Sequence, residues 1–327
     1  MVTIDNNLYI PSINAYIDPI KPVDKAIITH AHADHAKPNH KNVIATEDTL
    51  NIMKIRYGKE CAKNFQPLKY DEKIKINDLE ISLHSAGHIL GSSQVLLNNK
   101  GYKTLITGDY KTIKDNSSQE FSLIKSNALI TEATFGLPIF KHPHPKEEIY
   151  KLLSSIIKNN NCCHLVGCYA LGKTQRIICL LREMGYDEEI FIHGASEKIN
   201  NYYVERGIRL GKLTKVNKEN KKKLKGKIVL APPSALKDKW SRDLPNVKLC
   251  MASGWMTVKQ RAKQNNIELP LVISDHADWK ELTETIKSNG SEKVWITHGR
   301  EEGLEYHCKI NNIKAKALYL KERNEED

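Results

Sequence analysis

Four side chains that can bind a metal lie within the six-residue sequence HAHADH. They are His30, His32, Asp34 and His35. Imidazole and carboxylate groups suit zinc and similar ions. Because neighbouring side chains point in different directions, four ligands this close can hardly converge on one ion. The spacing therefore predicts two adjacent ions, the first bound by the leading pair of histidines and the second by Asp34 and His35. Such a metal pair commonly hydrolyses phosphate esters.

The remaining ligands must come from other segments, and several candidates follow apolar runs that are typical of buried strands. His88 follows a glycine, which lets the backbone turn an imidazole towards a site, so His88 is favoured over His84. Asp109 follows the run Leu105–Gly108, where a carboxylate could bridge two cations. In isolation it would be assigned to an ordinary turn. Beside the first motif, we expect it to bridge the two ions.

Three further candidates repeat this placement far away in the sequence: Glu132, His276 and His298. One such residue is more often structural than catalytic, but several at strand ends predict a shared cleft. Glu132 is expected to orient a histidine through a hydrogen bond. Asp18 is a weaker candidate for the same supporting role, and Asp24 is the other aspartate that could fill it. Either aspartate could instead be an ordinary turn residue.

The elements that must position these residues change in character along the chain. Residues 1–135 predict mostly strands, with one helix at Glu47–Tyr57. The later part alternates helices and strands, which indicates a mostly parallel sheet covered by helices. The segment Phe140–Pro145 is interpreted as a junction, so His142 and His144 are assigned to a loop in preference to another metal site.

Composition sets the broad class. The 327 residues are 40% hydrophobic and 27% charged, as in globular proteins. The sequence lacks an apolar stretch of about 18 residues and the pattern of a signal peptide, so no membrane association is expected. Seven cysteines without close CxxC pairs predict a reducing, cytoplasmic location, with Cys162, Cys163 and Cys168 in or near the core.

The formal net charge of +11 favours a polyanionic partner such as nucleic acid. An AT-rich genome gives the same excess, since it enriches lysine and asparagine together, and the chain has many Asn-Asn pairs. The basic run Lys218–Lys227 is interpreted first as a solvated loop, with polyanion binding as the alternative. Charge alone therefore raises the expectation of nucleic acid only modestly.

Together these motifs resemble the metallo-β-lactamase superfamily and, within it, the β-CASP nucleases. The HxHxDH sequence is typical of the superfamily, while Glu132, His276 and His298 resemble the β-CASP motifs A, B and C. The resemblance implies an α/β fold, a metallo-β-lactamase αββα sandwich with an inserted α/β β-CASP domain. The implied division is residues 1–140 and 266–327 for the first domain and 141–265 for the insert.

The resemblance also implies a site with two divalent ions, zinc being favoured and manganese or magnesium being alternatives. The implied metal ligands are His30, His32, Asp34, His35, His88, Asp109 and His298. His276 would contact the phosphate or protonate the leaving oxygen, and Glu132 would hold its ring. Asp34 could alternatively serve mainly to manage the proton of the nucleophile.

Similarity is closest to the bacterial ligase-associated DNA exonucleases, through the segments Ser253–Met256 and Ser274–Trp279. It implies a DNA exonuclease that acts in repair, with a DNA ligase and a helicase as partners. The alternative is an RNA-processing nuclease, because a histidine at motif C, here His298, is associated with RNA-cleaving members. A non-catalytic scaffold is a minor alternative, since every expected metal ligand is present.

The insert is expected to bind the nucleic acid strand through basic and aromatic side chains. The candidates are Lys173, Arg176, Tyr202, Arg206 and Trp255. Each of them alone is more often an ordinary surface or core residue.

Overall fold

The computed structural model describes residues 7–319 and divides into two compact units. Of the described residues, the first unit contains 7–114, 118–139 and 276–319. The second unit contains the short segment Asp115–Ser117 and the long segment Phe140–Asp275.

Short strands dominate the first unit. Its elements up to the long second-unit segment are β1 (Tyr9–Ile10), β2 (Ala15–Ile17), β3 (Lys25–Ile27), β4 (His40–Ala45), α1 (Glu47–Tyr57), β5 (Ala62–Pro67), β6 (Lys73–Ile76), β7 (Leu79–Ser85), β8 (Ser93–Asn99), β9 (Tyr102–Ile106) and β10 (Ala128–Ala133). Helix α1 has the predicted bounds because its signals are local. The hydroxyl of Thr46 caps its first turn, and Gly58 follows its last residue.

Helices and strands alternate in the second unit, as predicted from the sequence. Its elements are α2 (Pro145–Lys158), β11 (Cys163–Gly167), α3 (Lys173–Glu183), β12 (Ile190–Ile192), α4 (Glu197–Glu205), β13 (Leu213–Lys215), β14 (Ile228–Ala231), α5 (Lys239–Arg242), β15 (Val247–Ala252), α6 (Lys259–Gln264) and β16 (Leu269–Leu271). The chain completes the first unit with α7 (Trp279–Asn289), β17 (Lys293–Gly299), α8 (Glu301–Ile310) and β18 (Ala315–Ala317).

Two sheets form the centre of the first unit. The strands β1 to β5 follow one another in a five-stranded sheet, and a seven-stranded sheet has the order β18-β17-β10-β9-β8-β7-β6. One apolar core joins them, with Ile17 and Ile27 from the first sheet packed against Leu83 and Leu97 from the second.

Helices lie outside both sheets. Another core packs α7 and α8 on the seven-stranded sheet, while α1 packs beside β5. These layers are helix, sheet, sheet and helix, so the predicted αββα sandwich is confirmed.

The second unit is built on one six-stranded parallel sheet, in the order β13-β12-β14-β11-β15-β16. The sequence prediction began the C-terminal segment of the first domain at residue 266, but β16 pairs with β15 in this sheet. Residues 266–275 consequently cluster with the second unit. His144 caps α2 by accepting a hydrogen bond from Lys146 N, which gives this junction histidine a structural role.

All seven cysteines lie in the described part of the chain, and none forms a disulfide there. Cys163 and Cys168 are buried and Cys162 is half-buried, close to the prediction. Within residues 7–319, no helix combines the length and apolar character needed to cross a membrane.

Candidate metal centre

The predicted metal ligands of the first unit converge from the ends of several strands. His30, His32, Asp34 and His35 lie on the turn after β3, where two backbone hydrogen bonds to the His32 carbonyl close the turn. The other three follow β7, follow β9 or lie near the end of β17: they are His88, Asp109 and His298. Their convergence follows from strand ends that meet at one edge of the sandwich.

Two glycines make room for the ligands next to them. Gly87 has φ 70°, and a Cβ there would lie 2.2 Å from the Lys111 carbonyl oxygen. Gly108 has φ 56°, and a Cβ there would lie 2.8 Å from the Thr29 side chain. Glycine is therefore needed at both positions, beside His88 and Asp109 respectively.

Three histidines form the first group of possible ligands. His30, His32 and His88 can each offer one nitrogen so that these atoms lie within 4.8 Å of one another. The closest pair is His88 Nε2 and His32 Nδ1, at 3.0 Å. The rings of His30 and His88 are fully buried, so the surrounding protein holds them in place.

The second group mixes carboxylates and imidazoles: Asp34, His35, Asp109 and His298. His35 Nε2 lies 3.2 Å from a carboxylate oxygen of both Asp34 and Asp109. Asp109 also lies 3.5 Å from Nε2 of His30, a member of the first group. Its carboxylate thus faces both groups, as expected of a bridging ligand.

A bulge in the sheet presents His298. Between β10 and β17, Glu132 pairs with Thr297 and Ala133 pairs with Gly299, so His298 is the extra residue. It has φ 56°, a left-handed conformation that is uncommon for histidine. The bulge directs its ring to within 3.3 Å of Asp34 and 3.4 Å of Asp109. Bulges of this kind are common next to active sites.

The electrostatics of the centre favour positive charge. Burial lowers the pKa of His35 and His298, but the facing carboxylates of Asp109 and Asp34 outweigh it and raise both pKa values above the usual one. The pKa of His30 is lowered, chiefly by burial and next by His35. The carboxylates of Asp109 and Asp34 therefore stabilise positive charge in this centre, and bound divalent ions would provide such charge.

Unsatisfied buried atoms provide a test of fit for metal ions. Nε2 of His30, Nε2 of His35 and Oδ1 of Asp109 are buried and form no hydrogen bond in the described part of the chain, although each lies 3.2–3.5 Å from an oppositely charged group. Buried polar atoms are nearly always paired, so these three need another partner. Nitrogen and carboxylate donors are those that divalent ions such as zinc take, and the residues therefore fit the expected pair of ions.

Asp18 supports the second group from behind. Its Oδ2 lies 2.7 Å from His35 Nδ1 and accepts a hydrogen bond from Thr29 Oγ1 at 2.6 Å, while its Oδ1 accepts one from Thr29 N. Asp18 is buried, whereas its predicted competitor Asp24 has an exposed side chain beside Lys41. This contact leaves Nε2 of His35 directed at the candidate metal site.

Replacing Asp18 by Asn is expected to weaken metal binding about 10–100-fold, because partners that orient a ligand histidine contribute about that much. Metal titration of the purified protein would measure the change. Asp24→Asn is the matched control and should bind metal as the wild type does. Equal affinity in Asp18→Asn and wild type would contradict the role of Asp18.

Glu132 and His276 form a pair beside the two ligand groups. Glu132 Oε2 lies 3.1 Å from His276 Nδ1, and its other oxygen accepts a hydrogen bond from Tyr110 N at 2.7 Å. His276 Nδ1 also lies 3.3 Å from the hydroxyl of Thr134. Thr134 was not among the site residues predicted from the sequence. Glu132 thus orients the His276 ring, although His276 could itself join His88 and Asp109 around an ion.

Two of the predicted strand-binding residues are buried in the second unit. Lys173 Nζ lies 2.7 Å from Asp275, and Arg176 forms an ion pair with Asp115. Both basic side chains are at most 1% exposed. Their burial argues against direct contact with a phosphate.

The other three predicted strand-binding residues differ in exposure. Tyr202 and Trp255 are buried, and the Trp255 ring meets the Phe140 ring edge-on and has the Arg261 guanidinium 4.2 Å from its centre. Arg206 is exposed at the end of α4. Of the five residues predicted to bind the nucleic acid strand, only Arg206 has an exposed side chain that could contact it.

Sequence reasoning also missed Lys111 and Glu281, two buried charged residues near the centre. Glu281 did carry a signal, because the sequence from Asp278 to Glu281 fits a helix capping box, and the structure shows that box. That signal indicates only the start of α7.

Similar proteins fall into two sets by their names. The chain is 26% identical over 317 residues to a protein named probable DNA ligase from Opitutus terrae, an alignment covering 93% of this chain and 30% of that protein. It is 29% identical over 216 residues to the probable RNase MJ4 of Methanocaldococcus jannaschii, an alignment covering 55% of this chain and 50% of that protein. It is 25% identical over 162 residues to cleavage and polyadenylation specificity factor subunit 3 of Dictyostelium discoideum, an alignment covering 49% of this chain and 20% of that protein. The chain thus spans half or less of these relatives.

A solved structure of similar fold is a protein of unknown function from Enterococcus faecalis. It matches with a TM-score of 0.61 and 13% identity, over 92% of this chain and 80% of that one. No family model matches the sequence.

Proposed function

We propose that this chain, a homologue of β-CASP nucleases of the metallo-β-lactamase superfamily, hydrolyses phosphodiester bonds of nucleic acid with two divalent ions. One observation supports the proposal: two ligand groups that both face the buried carboxylate of Asp109. Two ions held side by side are suited to an in-line displacement at phosphorus. The complete ligand set argues against a non-catalytic scaffold.

In this proposal His30, His32 and His88 would hold one ion and Asp34, His35 and His298 the other, and Asp109 would serve both. When bound, the ions lower the pKa of water and neutralise charge on the phosphate oxygens. Asp34 lies close to both His35 and His298, so its first role is that of a ligand. Accepting the proton that the attacking water loses is its second.

His276 supplies the proton at the other end of the reaction. As a water oxygen bonds to phosphorus, the bond to the leaving oxygen breaks, and that oxygen keeps the electron pair. Because Glu132 accepts a hydrogen bond at Nδ1, protonated His276 can donate from Nε2 to the leaving oxygen. Glu132 keeps the ring oriented and stabilises its positive charge.

DNA is the first choice of substrate. The proposed role is that of a repair exonuclease that works with a DNA ligase and a helicase. The supporting observation is coverage: the protein named a probable DNA ligase matches 93% of the chain, whereas the two RNA-processing relatives match about half. RNA is the second candidate, because several relatives carry the names of RNases or of a cleavage and polyadenylation factor.

The distribution of charge supports a polyanionic substrate. Residues 215–243 contain ten basic and three acidic residues, an excess of seven out of the chain's eleven. A compositional bias of the genome would spread lysines evenly. The half-buried Trp240 lies among them, with Lys221 Nζ 5.3 Å from its ring centre and the His193 ring 4.7 Å away. Cations beside an aromatic ring are typical of single-strand binding surfaces.

The proposal predicts that the purified protein shortens end-labelled single-stranded DNA in the presence of zinc, manganese or magnesium. Matched RNA tests the second candidate, and circular single-stranded DNA separates exonuclease from endonuclease action because it has no ends. Cleavage of RNA alone would overturn the choice of DNA. Cleavage of neither polymer with any of the three metals would overturn the nuclease itself.

A further inference from the structure

Lys111 and Glu281 form a buried ion pair in the first unit, outside the ligand set. Lys111 is 2% and Glu281 7% exposed, and Lys111 Nζ lies 2.5 Å from Glu281 Oε2. Lys111 lies two residues after Asp109, and Glu281 lies in the first turn of α7, five residues after His276. The pair therefore joins two segments that each carry a residue of the candidate centre.

Glu281 accepts four hydrogen bonds besides the one from Lys111. Its Oε1 accepts from Thr112 N at 2.9 Å, from Thr112 Oγ1 at 2.7 Å and from Ile113 N at 3.1 Å. Its Oε2 accepts from Asp278 N at 3.0 Å. Burial favours the neutral acid, but Lys111 and these donors outweigh it and lower the pKa of Glu281 to about 2.

Capping of α7 explains only one of these five contacts, the bond from Asp278 N. The other four come from residues 111–113, nearly 170 positions earlier in the chain. A helix cap has no need of them. They instead fix the segment that follows Asp109 against the start of α7.

Tyr110 carries this constraint to His276. Its backbone N–H donates to Glu132 Oε1 at 2.7 Å, and its carbonyl accepts a hydrogen bond from Ala277 N at 2.6 Å. Ala277 follows His276 directly, and Glu132 holds the His276 ring through its other oxygen. The position of the Tyr110 backbone thus determines both the place and the orientation of that ring.

We infer that Lys111 and Glu281 are a positioning pair, which sets His276 against the segment of Asp109 through the backbone of Tyr110. The inference rests on the proposed function, in which His276 protonates the leaving oxygen. A pair that acts this way contributes most when the leaving group needs a proton.

The test compares two substrates. An oligonucleotide releases an alkoxide that needs a proton, whereas bis(p-nitrophenyl) phosphate releases a stable phenolate that needs little help. Glu281→Gln should lower kcat on the oligonucleotide about 10–100-fold, as expected for a supporting partner, and change kcat on the aryl ester much less. The ratio of the two kcat values is therefore the readout.

A milder variant guards against loss of folding, because Glu281→Gln leaves the buried Lys111 charge unpaired. Thr112→Val removes one hydroxyl donor at nearly constant shape, and should shift the same ratio about fivefold. Leu97→Ala, in the core between the two sheets, is the control. It should lower the melting temperature and leave the ratio unchanged.

A second readout does not depend on activity. Hydrogen exchange of the Tyr110 and Ala277 amides should speed up in Thr112→Val, and the Leu97→Ala control should not show this local effect. Unchanged exchange at both amides, or an unchanged substrate ratio in a folded, active variant, would overturn the inference. Absence of hydrolysis in the wild type would instead overturn the proposed function, while amide exchange would still decide whether the pair positions Tyr110.

Discussion

Replacing Asp109 by Ala is expected to abolish hydrolysis, with a loss of roughly 10³-fold or more, while the protein stays folded. Asp109 is the carboxylate that faces both ligand groups, with oxygens 3.5 Å from His30 Nε2, 3.2 Å from His35 Nε2 and 3.4 Å from His298 Nδ1. Without it the second group loses a ligand, and the first group loses the carboxylate that faces it. The variant should therefore bind fewer than two equivalents of metal per chain.

The measurements for Asp109→Ala are cleavage of an end-labelled strand, metal content and a thermal melt. Asp71→Asn is a suitable control, because Asp71 lies 2.6 Å from His84 in an aspartate–histidine pair outside the centre. Asparagine also tolerates the left-handed backbone of that position, where φ is 63°. The control should keep full activity and metal content. Full activity in a folded Asp109→Ala variant would contradict the two-metal proposal.

Metal removal should have the same effect on the wild type as the loss of Asp109. A chelated preparation is expected to be inactive and to regain activity when a divalent ion is added back. It should also unfold at a lower temperature, since a ligand at 100 times its Kd stabilises the native state by about 2.7 kcal/mol. Asp109→Ala should show a smaller thermal shift on adding metal.

Local signals explain what could be predicted from the sequence. Helix α1 has the predicted bounds, Glu47–Tyr57, because periodicity, caps and turn residues act over a few positions. The residues proposed as metal ligands were recognised for a similar reason, since each lies just beyond or near the end of an apolar strand. Parallel strands then bring their carboxyl ends together without further information.

Long-range pairing explains what could not be predicted. Lys173 and Arg176 were predicted to contact phosphate. Each instead pairs with a distant aspartate: Lys173 with Asp275, 102 positions away, and Arg176 with Asp115, 61 positions away. Nothing near either residue in sequence indicates that it is buried and paired. The bulge at His298 is a similar case, because its left-handed backbone depends on the pairing of β17 with β10.

Glu281 shows how one sequence signal can hide a second role. The capping box from Asp278 to Glu281 is predictable from four residues, and it fully accounts for a glutamate at that position. The four donors from Lys111, Thr112 and Ile113 are brought there only by the fold. A residue that satisfies a local rule can thus also serve the site, which only the structure reveals.

Replacing His276 by Ala is expected to lower kcat about 10²–10⁴-fold, the usual contribution of a general acid, with two metal ions still bound per chain. The structure offers two roles for this residue. It can join His88 and Asp109 around an ion, or it can pair with Glu132 and donate a proton. Metal content separates the roles, because loss of a ligand would release an ion and loss of an acid would not.

Glu132→Gln provides the matched test of the second role for His276. Glutamine still accepts a hydrogen bond from Tyr110 N or from the imidazole, but it no longer stabilises an imidazolium. We expect kcat to fall about 10–100-fold, less than in His276→Ala, with KM and metal content close to those of the wild type. The double variant should be no slower than His276→Ala, since Glu132 acts through that ring. Loss of one ion in His276→Ala would show that His276 is a metal ligand. Additive losses of kcat in the double variant would show that Glu132 contributes independently of His276.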